Sequence, residues 1–328
     1  MSTPAAAPFD ETAQADVILR SSDKVDFHVL KVILSLSSII FRDMFELAGT
    51  ESSSLSSSSI DSNTNKTVQS TLPVVEISEN GDTVDAILRI IYPTTDDCFP
   101  TKIPLICAML EAGRKYELSR VSTIAAQCLS SAANTSPIVV YAIACRYGMD
   151  DIVRTAAVAT LRLPILQLSS DDEELKRISA HTFVQLLEFR RQCALSASAF
   201  AASSNNRILV EFWGNLEHGH TCSNGCSPIK VRSYNSRPRY LTVYIPQWWS
   251  TLQQQYSDKL KETMWDEETA KAELIDVMSM QHTCLRCREL STSNVRRINN
   301  FVRFMSEGIQ RKRSELLLQF KFGSETHT

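Results

Sequence analysis

The sequence predicts a chain that opens as an α/β (α+β) domain and continues as mostly α-helical regions. Three patterns predict this. A short apolar run, Ala15 to Arg20, is followed past a turn cluster by apolar–polar alternation at Val25, Phe27 and Val29, and from Leu30 apolar residues recur at helical spacing instead. Helical spacing then dominates residues 121–195. Beyond residue 206 the composition shifts, and all four tryptophans (Trp213, Trp248, Trp249 and Trp265) fall there.

The first element is a β-hairpin. Residues Ala15 to Arg20 form an apolar run, Ser21-Ser22-Asp23-Lys24 make a turn, and Val25, Phe27 and Val29 alternate with polar neighbours. A helix follows, with Ile33, Leu36, Ile40 and Met44 on its stripe. Residues 49–71 are rich in Ser, Asn and Thr and carry too little apolar surface to offset their ordering entropy, so a disordered insertion is expected there. Pro73 to Ile77 is a short strand. Asp82 is the expected N-cap of a helix bearing Val84, Ile87, Leu88 and Ile91, which stops at Tyr92-Pro93. Further helices are expected at 103–118, 121–133, 137–147, 150–161 and 175–195. Pro137 sits at a favoured first helical position. Residues 196–206 read as a linker or frayed helix end, and 207–320 as a helical C-terminal region. In that region Pro246 opens one helix, Asp266-Glu267-Glu268 an acidic start of another, and residues 294–318 the last.

The hairpin and the segments after it resemble a known family. Asp16-Val-Ile-Leu-Arg-Ser-Ser-Asp23, Phe27-His-Val-Leu-Lys31, Ile33-Leu-Ser-Leu-Ser-Ser38 and Phe41-Arg-Asp-Met-Phe45 resemble the opening of a BTB/POZ domain. Val74–Ile77, Ala86-Ile-Leu-Arg-Ile-Ile-Tyr92 and Leu110-Glu-Ala-Gly-Arg-Lys-Tyr116-Glu-Leu118 fit its later elements, so the likeness covers 13–130. Tyr141-Ala-Ile-Ala-Cys-Arg-Tyr-Gly148 and Leu186-Leu187-Glu-Phe-Arg190, within a helical extension 131–195, resemble the region after this domain in uncharacterised fungal proteins. The resemblance implies a small sheet capped by helices that often dimerises through its first strand and helix. It also implies a charged pair, Asp16 and Lys31, near the dimer pocket. The chain departs from the family pattern at Leu30, where His is usual, and at Ile39, where Pro is common.

The function expected from the resemblance is protein binding, as a homo- or hetero-oligomerisation module. Two alternatives stay open: a substrate adaptor for a cullin-type ubiquitin ligase, and a BTB-type transcriptional regulator. The apolar-x-Glu motif that aids cullin contact is missing from 49–71, and Val74-Val-Glu76 matches it only within a strand.

The sharpest chemical signal lies further on. Cys222-Ser-Asn-Gly-Cys226 and Cys284-Leu-Arg-Cys287 have spacings that let each pair share one tetrahedral metal ion, with His218, His220 and His282 nearby. A structural Zn²⁺ on Cys222, Cys226, Cys284 and Cys287 is one reading; reduced thiols packed without metal are the other. Four thiolates leave no open position for a catalytic water.

Composition bounds the remaining classes. The chain has 328 residues, 43% hydrophobic and 22% charged, enough for two or three globular domains. A net charge of −3 gives no general drive toward nucleic acid or anionic lipid. Only residues 281–328, with nine Lys/Arg against four Asp/Glu, are locally basic. The N-terminus lacks the pattern of a secretory signal, and no run approaches the ~20 apolar residues that span a bilayer. Five of the nine cysteines (Cys98, Cys107, Cys128, Cys145 and Cys193) sit in apolar segments, as reduced thiols do. The expected location is cytoplasmic or nuclear, with neither membrane nor nucleic acid as partner. Neither a Gly-rich phosphate loop nor a Gly-x-Ser-x-Gly elbow occurs, so no catalytic residue and no enzymatic activity are expected. Asp171–Glu174 read as a solvated helix start, Arg311–Arg313 as the polar face of an amphipathic helix, and Trp248-Trp249 as core.

Overall fold

The structure is a computed structural model that describes residues 2–54, 72–93, 99–163, 173–202, 226–232, 240–263, 265–280 and 295–322. Residues 48–54, 226–232, 240–252, 277–280 and 295–298 are described by backbone alone. The chain divides into two compact units, Met1–Ile143 and Ala144–Thr328.

In the N-terminal unit the expected hairpin forms. Strands β2 (Val17–Arg20) and β3 (Val25–Val29) run antiparallel, Val17 opposite Val29 and Arg20 opposite Asp26. Val17, Leu19, Phe27 and Val29 are all buried while their neighbours are half-exposed, which is the period-two pattern of a one-sided sheet. The turn is held by Ser21, whose hydroxyl donates to Asp23 and accepts the Val25 N–H at 2.9 Å. Asp23 also accepts the Gly81 N–H at 2.8 Å, tying the turn to the helix that starts there.

Two more strands complete a mixed sheet. β4 (Val74–Glu76) runs parallel to β2, and β1 (Thr3–Pro4) parallel to β3, giving the order β1-β3-β2-β4. The sequence reading starts the domain at residue 13 and has no strand before it. In the structure Phe9 is 1% exposed and meets Tyr92 edge-on at 5.1 Å, so the preceding residues dock as well. One buried aromatic anchors a segment too rich in Pro and Ala to show any period.

Where one helix is expected after the hairpin there are two, α1 (Lys31–Ser37) and α2 (Ile39–Ser54). Ser38 separates them in an extended conformation, φ −149° and ψ 125°. It is buried; its hydroxyl donates to the Tyr116 carbonyl at 2.5 Å and accepts the Phe41 N–H at 3.1 Å, capping α2. This break resets the helical phase. The stripe Ile33-Leu36-Ile40-Met44 is therefore not the buried face; Leu34, Phe41 and Phe45 are. Ser38→Ala removes the cap and leaves a buried carbonyl unpaired, for a predicted loss of about 1–3 kcal/mol. Urea unfolding followed by circular dichroism checks this. α2 also runs on through residues 49–54, the first part of the expected insertion, because extending an established helix costs less than nucleating one. Residues 55–71 lie outside the described residues.

Helix α3 (Gly81–Ile91) starts two residues earlier than expected. Asn80 is its cap, accepting the Thr83 N–H at 3.0 Å, and Asp82 sits in the first turn. Helices α4 (Ile103–Lys115) and α5 (Ser119–Ala132) approach closely at Gly113, where a Cβ would lie 2.5 Å from Ser122 Oγ. α6 (Pro137–Arg146) begins at proline as expected, and the division between the units falls within it.

The C-terminal unit contains α7 (Asp150–Thr160), a 3₁₀ turn (Leu175–Arg177) and the long α8 (Ala180–Ala202). Residues 196–202, read as linker, are helical because the segment is mostly alanine, the best helix former, and buries Ala197, Ser198 and Ala201. Strands β5 (Cys226–Arg232) and β6 (Tyr240–Pro246) form an antiparallel pair within the region read as helical. Pro246 ends β6 and α9 (Gln247–Glu262) follows at once. Helices α10 (Glu267–Met280), capped by Asp266 through the Thr269 N–H at 2.8 Å, and α11 (Val295–Gln319) complete the unit. α8 is the hub. It meets α9 through Ser198 and Ser257 at 3.0 Å, and α11 through the stacked rings of Phe200 and Phe304, whose centroids lie 5.8 Å apart. Among the described residues no helix is long and apolar enough to cross a membrane.

Candidate protein-docking surface

Helix α1 has the sequence Lys31-Val-Ile-Leu-Ser-Leu-Ser37, apolar on more than one face. A helix with a single packing partner needs only one apolar stripe. Leu34 supplies it, fully buried. Val32 and Leu36, one turn apart, point the other way and are 58% and 83% exposed. On α2, Ile39 and Leu47 are also exposed. Large apolar side chains grouped on two adjacent helices are what interaction surfaces present to water.

The helix carrying this face is pinned from several directions. Its N-cap residue, Leu30, offers no side-chain hydrogen bond. Two other groups take the first amide donors: Tyr92 Oη accepts the Leu30 N–H at 2.7 Å, and Asp16 Oδ1 accepts the Lys31 N–H at 2.7 Å. A carboxylate at a helix N-terminus satisfies an orphan donor and complements the helix dipole. Asp16 thus has a partner, the backbone of Lys31. The two side chains form no ion pair with each other; the Lys31 ammonium lies 6.0 Å from the Phe45 ring centroid on α2. At the other end, Ser38 fixes α1 to Tyr116.

Tyr116 is the deepest support of the surface. Its ring stacks on Phe41 at 4.7 Å and is 3% exposed. Its hydroxyl donates to Glu79 Oε2 at 2.5 Å, while Lys115 Nζ reaches Glu79 Oε1 at 2.9 Å. Burial pulls the Glu79 carboxyl upward, but the bonds from Tyr116 and Lys115 together outweigh it and hold the group below the usual range. Burial raises the Tyr116 phenol, so it stays a donor at neutral pH.

Residues 6–132 match the BTB/POZ domain. The match covers less than half of the chain and takes in the docked segment around Phe9. No curated protein matches the chain. The BTB/POZ domain is a protein–protein interaction module, and the hairpin, the small mixed sheet and the helices α1–α5 supply its architecture here.

The sequence reading singled out Asp16 and Lys31, which the structure brings together through the Lys31 amide rather than through charge. It missed Val32, and it counted Leu36 as core. The missed signal was Ser38, a capping residue type in the middle of an apolar run. Of the cysteine quartet, Cys222, Cys284 and Cys287 lie outside the described residues; Cys226 opens β5, and its side chain lies outside them too. Among the described residues no cluster of His, Cys, Asp or Glu could hold a metal ion.

Proposed function

We propose that the chain works by self-association through its BTB/POZ domain, with Val32 and Leu36 of α1 seated against the same face of a second copy. Their exposure on a helix whose other side is already packed carries this reading. A two-fold contact suits a short helix, because each residue then counts twice in one self-complementary patch. Asp16 and Lys31 act here as positioning residues: Asp16 holds the start of α1, and Lys31 borders the apolar face. Light scattering on the intact chain tests the proposal. A mass near twice 36.8 kDa at micromolar concentration supports it, and a mass near 36.8 kDa overturns it.

We also propose that Cys222, Cys226, Cys284 and Cys287 hold a structural Zn²⁺, supported by their spacing alone. Metal analysis of the purified chain should find about one zinc per chain, lost in Cys284→Ser. A metal-free unmodified chain refutes the site.

A further inference from the structure

In the C-terminal unit, α8, α9 and α11 and the residues after α7 surround a cavity of about 230 Å³. Its lining includes large apolar side chains, Leu260, Trp265 and Ile309, and five basic ones. Of its basic residues, Arg191 and Lys261 are compensated on their own helices, by Glu188 and Asp258. Arg162, Arg190 and Arg313 form no ion pair with any described residue.

Two of these three guanidinium groups are held away from water. Arg190 is 7% exposed, and its terminal nitrogens donate to the carbonyl oxygens of Thr160 and Leu163. These carbonyls lie at the C-terminal end of α7, whose dipole supplies only a partial negative charge, and the buried Nε has no hydrogen-bond partner among the described residues. Arg313 is half-buried on α11, where its neighbours Arg311 and Lys312 are exposed. Burial lowers its pKa, and the nearby charge of Arg162 pushes the same way. The Cys193 thiol beside it cannot serve as counter-ion, because burial pushes that thiol up to about 11 and leaves it neutral. Among the described residues Glu262 is the single carboxylate on the lining. Desolvated cations in such excess are unfavourable without an anion between them.

We propose that this cavity binds a small organic phosphate: a dianionic head among Arg162, Arg190 and Arg313, and a compact apolar body against Leu260, Trp265 and Ile309. The planar guanidinium fork matches phosphate oxygens, and two or three forks favour a dianion over a carboxylate. The volume lies just below the roughly 300–1,000 Å³ of sites for drug-sized ligands, so the body is no larger than one ring or a short chain.

Titration calorimetry on the intact chain tests this with phenyl phosphate, inorganic phosphate and benzoate at matched ionic strength. Phenyl phosphate should bind saturably at one site, at least about tenfold more tightly than either of the others. Arg313→Gln should weaken it by at least about tenfold, and Arg311→Gln, on the exposed side of the same helix, should not. If Arg313→Gln fails to fold, Arg162→Gln, at an exposed position, decides the matter through a loss of severalfold. The absence of saturable heat with phenyl phosphate overturns the proposal. So does equal or tighter binding of benzoate or inorganic phosphate, or affinity unchanged in every folded variant at Arg313 and Arg162.

Discussion

Leu36→Glu is expected to convert the proposed dimer to a monomer while leaving the fold intact. Leu36 is 83% exposed, so the substitution removes no core contact, and circular dichroism should not change. At a two-fold contact the leucine is buried twice. Each burial contributes about 2 kcal/mol, and the two facing glutamates would repel or need desolvation as well. A loss of at least about 4 kcal/mol weakens association by roughly a thousandfold, enough to abolish the dimer at micromolar concentration. Leu36→Ala should give an intermediate mass that shifts with dilution. Leu318→Glu, equally exposed at 82% but on α11, should leave the mass unchanged. A dimer that survives Leu36→Glu and Val32→Glu together would place the contact elsewhere.

Tyr116→Ala should destabilise the N-terminal unit most among single substitutions in its core. It deletes a ring that is 3% exposed and stacked on Phe41, an aromatic truncation of the kind that costs about 3–5 kcal/mol. It also strips Glu79 of one of its donors. Against a total stability of about 5–15 kcal/mol for a domain, such a loss leaves a measurable unfolded population. The probe matters: no tryptophan precedes Trp213, so fluorescence does not report this unit, and circular dichroism during urea unfolding does. Tyr116→Phe separates the two effects. It keeps the stack and loses both hydrogen bonds of the hydroxyl: the one accepted from Lys115 Nζ at 2.8 Å, and the one donated to Glu79, which helps to hold the Glu79 pKa below its ordinary value of 4.5. A carboxyl depressed in the folded state stabilises above its unfolded pKa, and that contribution drains as the pH falls through the folded value. The wild-type unit should therefore lose stability on acidification below about pH 4.5 more steeply than Tyr116→Phe. Equal slopes would mean that the Glu79 contact contributes nothing.

How far the sequence could be read depended on whether an element declared itself by period. The hairpin did, through Val17, Leu19, Phe27 and Val29, and so did α3 and the helices from 103 onward. β1 did not, because two residues cannot show alternation, and Phe9 stands alone among small residues. The split of α1 from α2 rests on a single hydroxyl, and overlooking it reversed the assignment of Leu36. β5 and β6 did carry a signal: Ile229 and Val231 alternate with Lys230 and Arg232, and Val243 and Ile245 fit a strand. Pro246 fits a helix start as well as it fits the end of a strand, so the residue alone does not separate the two. Arg313 looked like one of three surface charges. Only the rotation of α11 against α8, set by the rings of Phe200 and Phe304, shows that it turns inward while Arg311 and Lys312 do not.

Thr3–Pro4 lies along the free side of β3, while the opposite rim of the sheet is a strand of only three residues, Val74–Glu76. Long bare rims let proteins zip together through main-chain amides with little regard for sequence. With Thr3–Pro4 along one rim and the other kept short, the described sheet offers little main chain for such pairing, which suits the proposed contact through side chains standing on a helix. Contacts of that kind are selective, come apart on dilution, and can be retuned by one residue without touching the scaffold beneath.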